Sequence, residues 1–500
     1  MSITIEKDVE RRHEISNTGS SAGANAGSPE HAPPFVERRR RREDHDAPKI
    51  AGRHSRFMAA AAIFIALNVV SSFLTPIRFD PFKFPYTGWA WWTFNDLRTN
   101  PELHNVALLG SSLMVSAINA CDANYKKETL DLTRYHGATY LDDKLRENFG
   151  GQFHTYNLSA PGQMPSDAYL TLKSMLTTAH RPDIVIYGVA PRDFLDSSLS
   201  APTDTEPFHF LNRIVTTDEC ASGLFRDPLS RLNGFLNRNL YLAHHGLDYQ
   251  MLFANKGDRL LNKIAPAPWD GKPFTYWDRV KLLPGYKPCE IHQNAVMIGP
   301  MTREQAIASF TDNTLEYIER YKNPDPHTYR NQLYFLRKLF KLCQKERIEL
   351  IVINMPISKE NINTLGPNTY LYYIQAMQQT CFSHKVSFFD LNFYYNYTRD
   401  LYHDYVHLNG FGGTRFIDSL VAELKNNERT NAAVELAGQS LAKEEKLQQS
   451  QPAYPPGTIT LVEKIKNKLK ETGIYNEVRP NKIPILREED DDKSIHGVDM

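Results

Sequence analysis

The stretch VALLGSSLM (106–114) decides the fold. Four apolar residues run into Gly110, two serines follow, and apolar residues resume at once. A short buried strand that turns sharply into a helix is the opening step of an α/β domain. The same stretch has two chemical readings. Gly-Ser-Ser after an apolar run suits a turn and N-cap. It equally suits a nucleophilic serine beside a helix N-terminus, where backbone N–H groups face a developing oxyanion.

Outward from this stretch the pattern repeats. NVALLG (105–110), FHTYNL (153–158), DIVIYGV (183–189), ELIVINMP (349–356) and VSFFDLN (386–392) are short apolar runs separated by segments of helical period. Continuous runs of this kind are expected in a mostly parallel sheet covered on both faces. The clearest helix is NQLYFLRKLFKLCQKE (331–346), whose inward stripe is Leu333, Leu336, Phe340 and Cys343 at spacings of three, four and three. Residues of about 200–330 break the rhythm, being rich in Pro, Asn, Asp and aromatics. They read as a large insertion between strands, of the kind that shapes substrate sites at strand ends.

FMAAAAIFIALNVVSSFLT (57–75) has nineteen residues without a charge, near the ~20 that a helix needs to cross a bilayer. It lacks the periodic polar face of a core helix. Fifty-six residues precede it and no small-residue cleavage site follows, so an uncleaved anchor is expected rather than a signal peptide. Arg38 to Arg42, Lys49, Arg53 and Arg56 lie before it, and only Arg78 and Lys83 soon after. The positive-inside rule then puts the N-terminus in the cytoplasm and everything after residue 76 outside the cytoplasmic membrane, in the periplasmic direction. Trp89, Trp91 and Trp92 suit either the membrane interface or packing against the domain. The expected organisation is a disordered basic arm (1–55), an anchor (56–76), a connector (77–103), an α/β domain (104–427) and a low-order tail (428–500). A short amphipathic helix is expected within the tail at 459–473.

The 58 basic and 58 acidic residues balance, which excludes a general nucleic-acid or polyanion binder. The five consecutive arginines in VERRRRRED (36–44) are simplest as a topogenic signal that also holds anionic lipid headgroups. Cys121, Cys220, Cys289, Cys343 and Cys381 are scattered and form no CxxC pair, so neither a disulfide scaffold nor a zinc cluster is expected. Cys121 reads as core. His244 and His245 are adjacent and lack an acidic partner at ligand spacing, and NGFGG (409–413) is no dinucleotide fingerprint but the turn before the last helix. No metal or cofactor is expected.

Serine needs a base to take its proton and an oriented acid to steady that base. DLYHDYVHLNGFGGTRFIDSLVAEL (400–424) supplies both in Asp404 and His407, three apart on a loop. At that spacing the carboxylate can accept the Nδ1–H and leave Nε2 facing outward. A solvent-exposed polar loop is the other reading, since Asp400 and His403 crowd the same segment.

Gly-x-Ser directly after the first strand, with Asp-x-x-His-Leu-Asn before the last helix, resembles the SGNH (GDSL-type) hydrolase superfamily. The resemblance implies an α/β fold of three layers, flavodoxin-like, here with one transmembrane helix in front and the large insertion within. It implies Ser112 as nucleophile and His407 with Asp404 as its base and orienting acid. Gly162, in YNLSAPGQMPSD, would be an oxyanion-hole glycine together with the N–H of Ser112. One departure stands out. The third block of the family reads Gly-x-Asn-Asp, its asparagine donating to the oxyanion, and the matching strand here ends YGVAPRDFLD (187–196) with no asparagine. Arg192 could donate instead, the hole could rest on backbone N–H groups alone, or Arg192 could pair with Asp193.

An anchor followed by an outward domain resembles, in architecture, the superfamily's envelope branch. That branch includes the D-alanyl transfer protein of teichoic-acid modification and acetyltransferase-like proteins of exopolysaccharide export. The resemblance implies an acyl-ester hydrolase or O-acyltransferase, acetyl foremost, acting on an envelope glycan beside a membrane-bound O-acyltransferase. A catalytically weak domain that binds glycan or scaffolds such a complex is the alternative.

Overall fold

A computed structural model describes residues 51–74, 80–83, 88–198, 201–225, 228–246, 249, 253, 296–393 and 395–450. The arginine run, Cys289, most of the insertion beyond 253, the acidic end and the helix expected at 459–473 lie outside the described residues. The chain divides into two units, Met1–Ile65 and Ala66–Met500. The first contributes the opening turns of the helix Ala51–Leu74. The window Arg56–Phe73 of that helix is long and apolar enough to cross a membrane.

The second unit is built on a five-stranded sheet. Its strands are β1 (Val106–Gly110), β3 (Thr155–Asn157), β4 (Ile184–Val189), β6 (Glu349–Asn354) and β7 (Ser387–Asp390), in the order β3-β1-β4-β6-β7. Every pairing is parallel. All five expected runs are strands, no end being trimmed by more than two residues. β1 and β4 are buried along their whole length, as strands covered on both faces must be. A small antiparallel pair, β2 (Leu130–Asp131) with β5 (Met297–Ile298), lies apart and had no apolar run to announce it.

The chain leaves β1 in one direction towards β3 and then returns across β1 to β4. Such a reversal of winding opens a crevice at the carboxyl ends of the strands. Ser112 follows β1, Gly162 follows β3 and Arg192 follows β4, so one edge of the sheet collects all three.

In the helix Pro326–Glu346 the buried stripe is Gln332, Phe335, Leu336, Leu339, Phe340 and Cys343, while Leu333 lies at its margin. The helix Glu428–Ser450 corrects the expectation of a low-order tail from residue 428. Val434, Ala437 and Leu441 recur at three and four and are buried, and Gln152 N–H donates to the Gly438 carbonyl at 2.9 Å. Its apolar content is low because half of its surface faces water, which made it read as a tail. Within the stretch expected as connector, the helix Trp89–Thr99 buries Trp89, Phe94 and Leu97. Trp89 is 5 % exposed and its Nε1–H donates to the Ser159 carbonyl at 3.1 Å, so packing on the domain, not a lipid interface, accounts for it. Cys121, Cys220, Cys343 and Cys381 are buried free thiols, and burial pushes Cys121 up to about 12.

NGFGG corrects a second expectation. These glycines form the first turn of the helix Gly410–Asn426, capped by Asn409, whose side chain accepts from the N–H of Phe411 and Gly412 at 3.0 Å each. A Cβ on Gly413 would stand 2.0 Å from the Ala117 carbonyl oxygen, so the two helices touch backbone to backbone. Gly413→Ala must therefore push this helix off its neighbour. It should cost about 1–3 kcal/mol of stability through overpacking, and calorimetric melting checks this. An unchanged Tm would overturn the close-packing account.

Candidate active site

Ser112 is the first residue of the helix Ser112–Lys126, which the extended Ser111 introduces as N-cap. The Ser111 carbonyl accepts from the N–H of Met114 and Val115 at 3.0 and 3.3 Å. Strand, turn and helix start thus hold the Ser112 side chain at the carboxyl edge of the sheet.

The opposing loop is braced from several sides. His403 N–H donates to the His407 carbonyl at 2.7 Å and Asn409 N–H to Leu401 at 3.0 Å, closing a tight hairpin. Ser116 Oγ, one turn along from Ser112, donates to the Leu408 carbonyl at 2.6 Å. The insertion adds its own supports: Thr311 N–H donates to the His403 carbonyl at 2.9 Å, and Asn313 Oδ1 accepts from Tyr405 N–H at 3.2 Å.

In this frame His407 Nε2 stands 2.7 Å from Ser112 Oγ, and His407 Nδ1 stands 2.7 Å from Asp404 Oδ2. Residues almost three hundred positions apart meet in one hydrogen-bonded line. The other oxygen of Asp404 accepts from the N–H of Val406 and His407 at 2.8 Å each. Burial acts to push the Asp404 carboxyl up. The bond and charge of His407, with the two backbone donors, overcome burial and hold it below the usual range. An ionised Asp404 accepts the Nδ1–H, which leaves Nε2 of the ring facing the Ser112 hydroxyl. Asp400 and His403 take no part: Asp400 pairs with Arg303, and the His403 backbone closes the hairpin.

Gly162 adopts φ +75°, a left-handed backbone that favours glycine. Its loop is strapped to β1, with Ala160 N–H donating to the Gly110 carbonyl at 3.0 Å. Gln163, which is buried, accepts from Gly110 N–H at 2.8 Å and donates to Leu158 at 3.1 Å. Gln163 carried no signal in the sequence, because a lone glutamine after a glycine marks nothing until the loop is folded against the strand.

Arg192 lies over Gly162. A Cβ built there would stand 3.6 Å from Nη2 and 3.9 Å from Nη1. The Arg192–Asp193 pairing, one of three alternatives left open by the sequence, is present as a long ion pair beside a shorter one. Arg192 Nε bonds Asp196 Oδ2 at 2.9 Å, one helical turn on, while Nη1 stays 3.8 Å from Asp193 Oδ1. Asp196 is shared with Arg320 Nη1 at 2.5 Å. Nη1 of Arg192 is buried and, among the described residues, has no hydrogen-bond partner. An orphaned guanidinium donor is costly and is retained where something else supplies the acceptor. Tyr317, from the insertion, is buried near both Arg192 and Asp404. Burial raises its hydroxyl pKa, Arg192 opposes this and Asp404 adds to it. Asp196, Arg320 and Tyr317 were missed in the sequence. Only Asp196 had a visible signal, its i,i+4 spacing from Arg192.

Asp193 instead uses Oδ2 to accept from Ala190 N–H at 2.9 Å. Complete burial pushes its pKa up to about 7, against the pull of Arg192 and of the Ala190 N–H. An unfolded aspartate titrates near about 4, so the folded chain holds this proton more tightly. The resulting stability is full below about pH 4 and is lost as pH rises to about 7. Asp193→Asn keeps an oxygen for Ala190 and removes that loss. Its Tm relative to the native chain should rise between about pH 5 and about pH 8. A difference that stays constant across that range would contradict this.

No protein-family model matches the chain, and no curated protein sequence matches it significantly. Among solved structures, the chain is similar to a Bacteroides fragilis NCTC 9343 protein whose assignment as an acylhydrolase is itself provisional. The match has 8 % identity and a TM-score of 0.25, and covers 69 % of this chain and 92 % of that one. The fold described above rests on its own topology.

Proposed function

We propose that this protein is an SGNH-type serine acyl-ester enzyme, held at the cytoplasmic membrane by the helix Ala51–Leu74 with its α/β domain outside. It removes or transfers a small acyl group, acetyl foremost, on hydroxyls of a cell-envelope polysaccharide. The observation that carries this reading is the unbroken line from Asp404 through His407 to Ser112, at 2.7 Å for each step.

Ser112 Oγ attacks the acyl carbonyl while His407 Nε2 takes its proton, and Asp404 stabilises the imidazolium that results. The carbonyl oxygen becomes an oxyanion, received by the N–H groups of Ser112 and Gly162 and by Arg192 Nη1. The adduct then collapses, its ester C–O bond breaks, and the imidazolium gives its proton to the departing alkoxide oxygen, leaving acyl-Ser112. A water molecule or a sugar hydroxyl, deprotonated by His407, attacks that ester and restores the serine. Where the family places a neutral asparagine, a permanently charged guanidinium supplies the third donor, and charge-assisted hydrogen bonds are about twice as strong as neutral ones. The anchor favours transfer over hydrolysis, since it keeps the domain beside a membrane-bound O-acyltransferase able to supply the acyl unit.

The test is labelling of the purified chain with a fluorophosphonate probe, beside Ser112→Ala. The reading expects one adduct on the native chain and none on the variant. A folded native chain that never labels would leave the non-catalytic glycan-binding role in its place.

A further inference from the structure

The helix Pro228–Asn239, in the insertion, carries its apolar residues on the side turned away from the domain. Leu229, Leu232 and Leu236 recur at spacings of three and four with Phe235 alongside, forming one stripe. Leu229 is 74 % exposed, Leu232 52 %, Phe235 53 % and Leu236 38 %. The opposite side meets the protein. A Cβ on Gly234 would stand 2.4 Å from Phe225 Cζ, and Arg231 Nε donates to the Phe225 carbonyl at 3.4 Å. Phe225 itself packs against the core. The stripe is thus turned outward by the helix's own attachment.

What covers it follows from the residues just beyond. Leu242 N–H donates to Asn68 Oδ1 at 2.8 Å. Asn68 belongs to the helix Ala51–Leu74, six residues before its end, which is about 9 Å along the axis at 1.5 Å per residue. A carboxamide within a membrane span needs a polar partner, and here the segment following the amphipathic helix provides one. The bond fixes Leu242 beside the span about 9 Å short of its C-terminal end, a depth that interfacial helices reach. Charge agrees with such a place. From Pro228 to Gly246 the chain has no acidic residue, so nothing in this segment repels anionic headgroups.

We propose that the helix Pro228–Asn239 lies in the membrane surface at the C-terminal end of the span, with Leu229, Leu232 and Leu236 among the acyl chains. The domain is then docked to the bilayer at a second point instead of swinging on one tether. This rests on the helix Ala51–Leu74 crossing the membrane, as proposed above.

The experiment uses the full chain with Cys289→Ser, reconstituted in phosphatidylethanolamine vesicles containing a minority of phosphatidylglycerol. Nitroxide labels are placed singly through Leu229→Cys, Leu232→Cys, Arg231→Cys and, in the span, Ile63→Cys. Collision with oxygen, which concentrates in lipid, is compared with collision with a water-soluble nickel chelate. The oxygen-to-nickel ratio at positions 229 and 232 should exceed that at 231 by roughly threefold or more. Equal ratios at 229, 231 and 232, with a lipid-like ratio at 63, would overturn the docked helix and leave the anchor intact. A water-like ratio at 63 would overturn the anchor and this proposal with it. Shielding of 229 and 232 from both reagents would mean that protein covers the stripe, which also overturns it.

Discussion

Ser112→Ala and His407→Ala should each lower kcat for an acetyl ester by roughly 10⁴- to 10⁶-fold, and the double variant should be little worse than either. The reason lies in the geometry. Each proton step needs both groups, so removing one idles the other, and their losses cannot add. Asp404→Asn should cost roughly 10⁴-fold. An amide in place of Oδ2 no longer accepts the Nδ1–H, and the imidazole can turn its proton towards Ser112. The backbone N–H groups of Val406 and His407 would still find the remaining oxygen, so the loop keeps its shape and the loss is chemical. Stopped assays with a chromogenic acetyl ester, alongside melting curves for each variant, separate chemistry from folding. Additive losses in the double variant would show that Ser112 and His407 do not act as a unit.

Arg192→Ala should lower kcat by roughly 100- to 1000-fold while leaving KM within a few-fold, the pattern of a donor that bonds the oxyanion and not the ground-state ester. Asp196→Asn should fall between the native chain and that variant. Asp196 does not reach the reacting atoms but holds Arg192 Nε at 2.9 Å and Arg320 at 2.5 Å. Its loss loosens the guanidinium without deleting it. An Arg192→Ala variant of native kcat would place the whole oxyanion hole on the N–H groups of Ser112 and Gly162.

The parts of the site that were legible in the sequence are those whose chemistry is unusual and whose spacing is local. Asp404 and His407 are three residues apart on one loop, and Ser112 sits where a strand must turn into a helix. The five strands were legible because runs buried on both faces carry few polar residues. The supports were not legible. Gln163, Tyr317, Asn313 and Asp196 are ordinary polar residues until folding sets them against Gly110, Arg192 and the histidine hairpin. The glycines at 410–413 read as a turn because a sequence does not record that Ala117 and Ala120 pass beneath them. The helix Glu428–Ser450 read as tail because a half-exposed helix and a soluble tail have similar composition.

The sequence by itself determined the parallel α/β layering and the apolar helix ahead of it, since these follow from hydrophobic periodicity, and it singled out Ser112, His407 and Asp404 as candidates through the chemistry of single side chains. Only the tertiary structure decided that Ser112 and His407 meet at 2.7 Å, and that Arg192 holds Asp196 at 2.9 Å beside a longer 3.8 Å pair with Asp193, leaving Nη1 with no hydrogen-bond partner among the described residues. The physical reason is the same in each case: hydrogen bonds are short and directional, so which groups form them depends on positions set by packing across hundreds of residues.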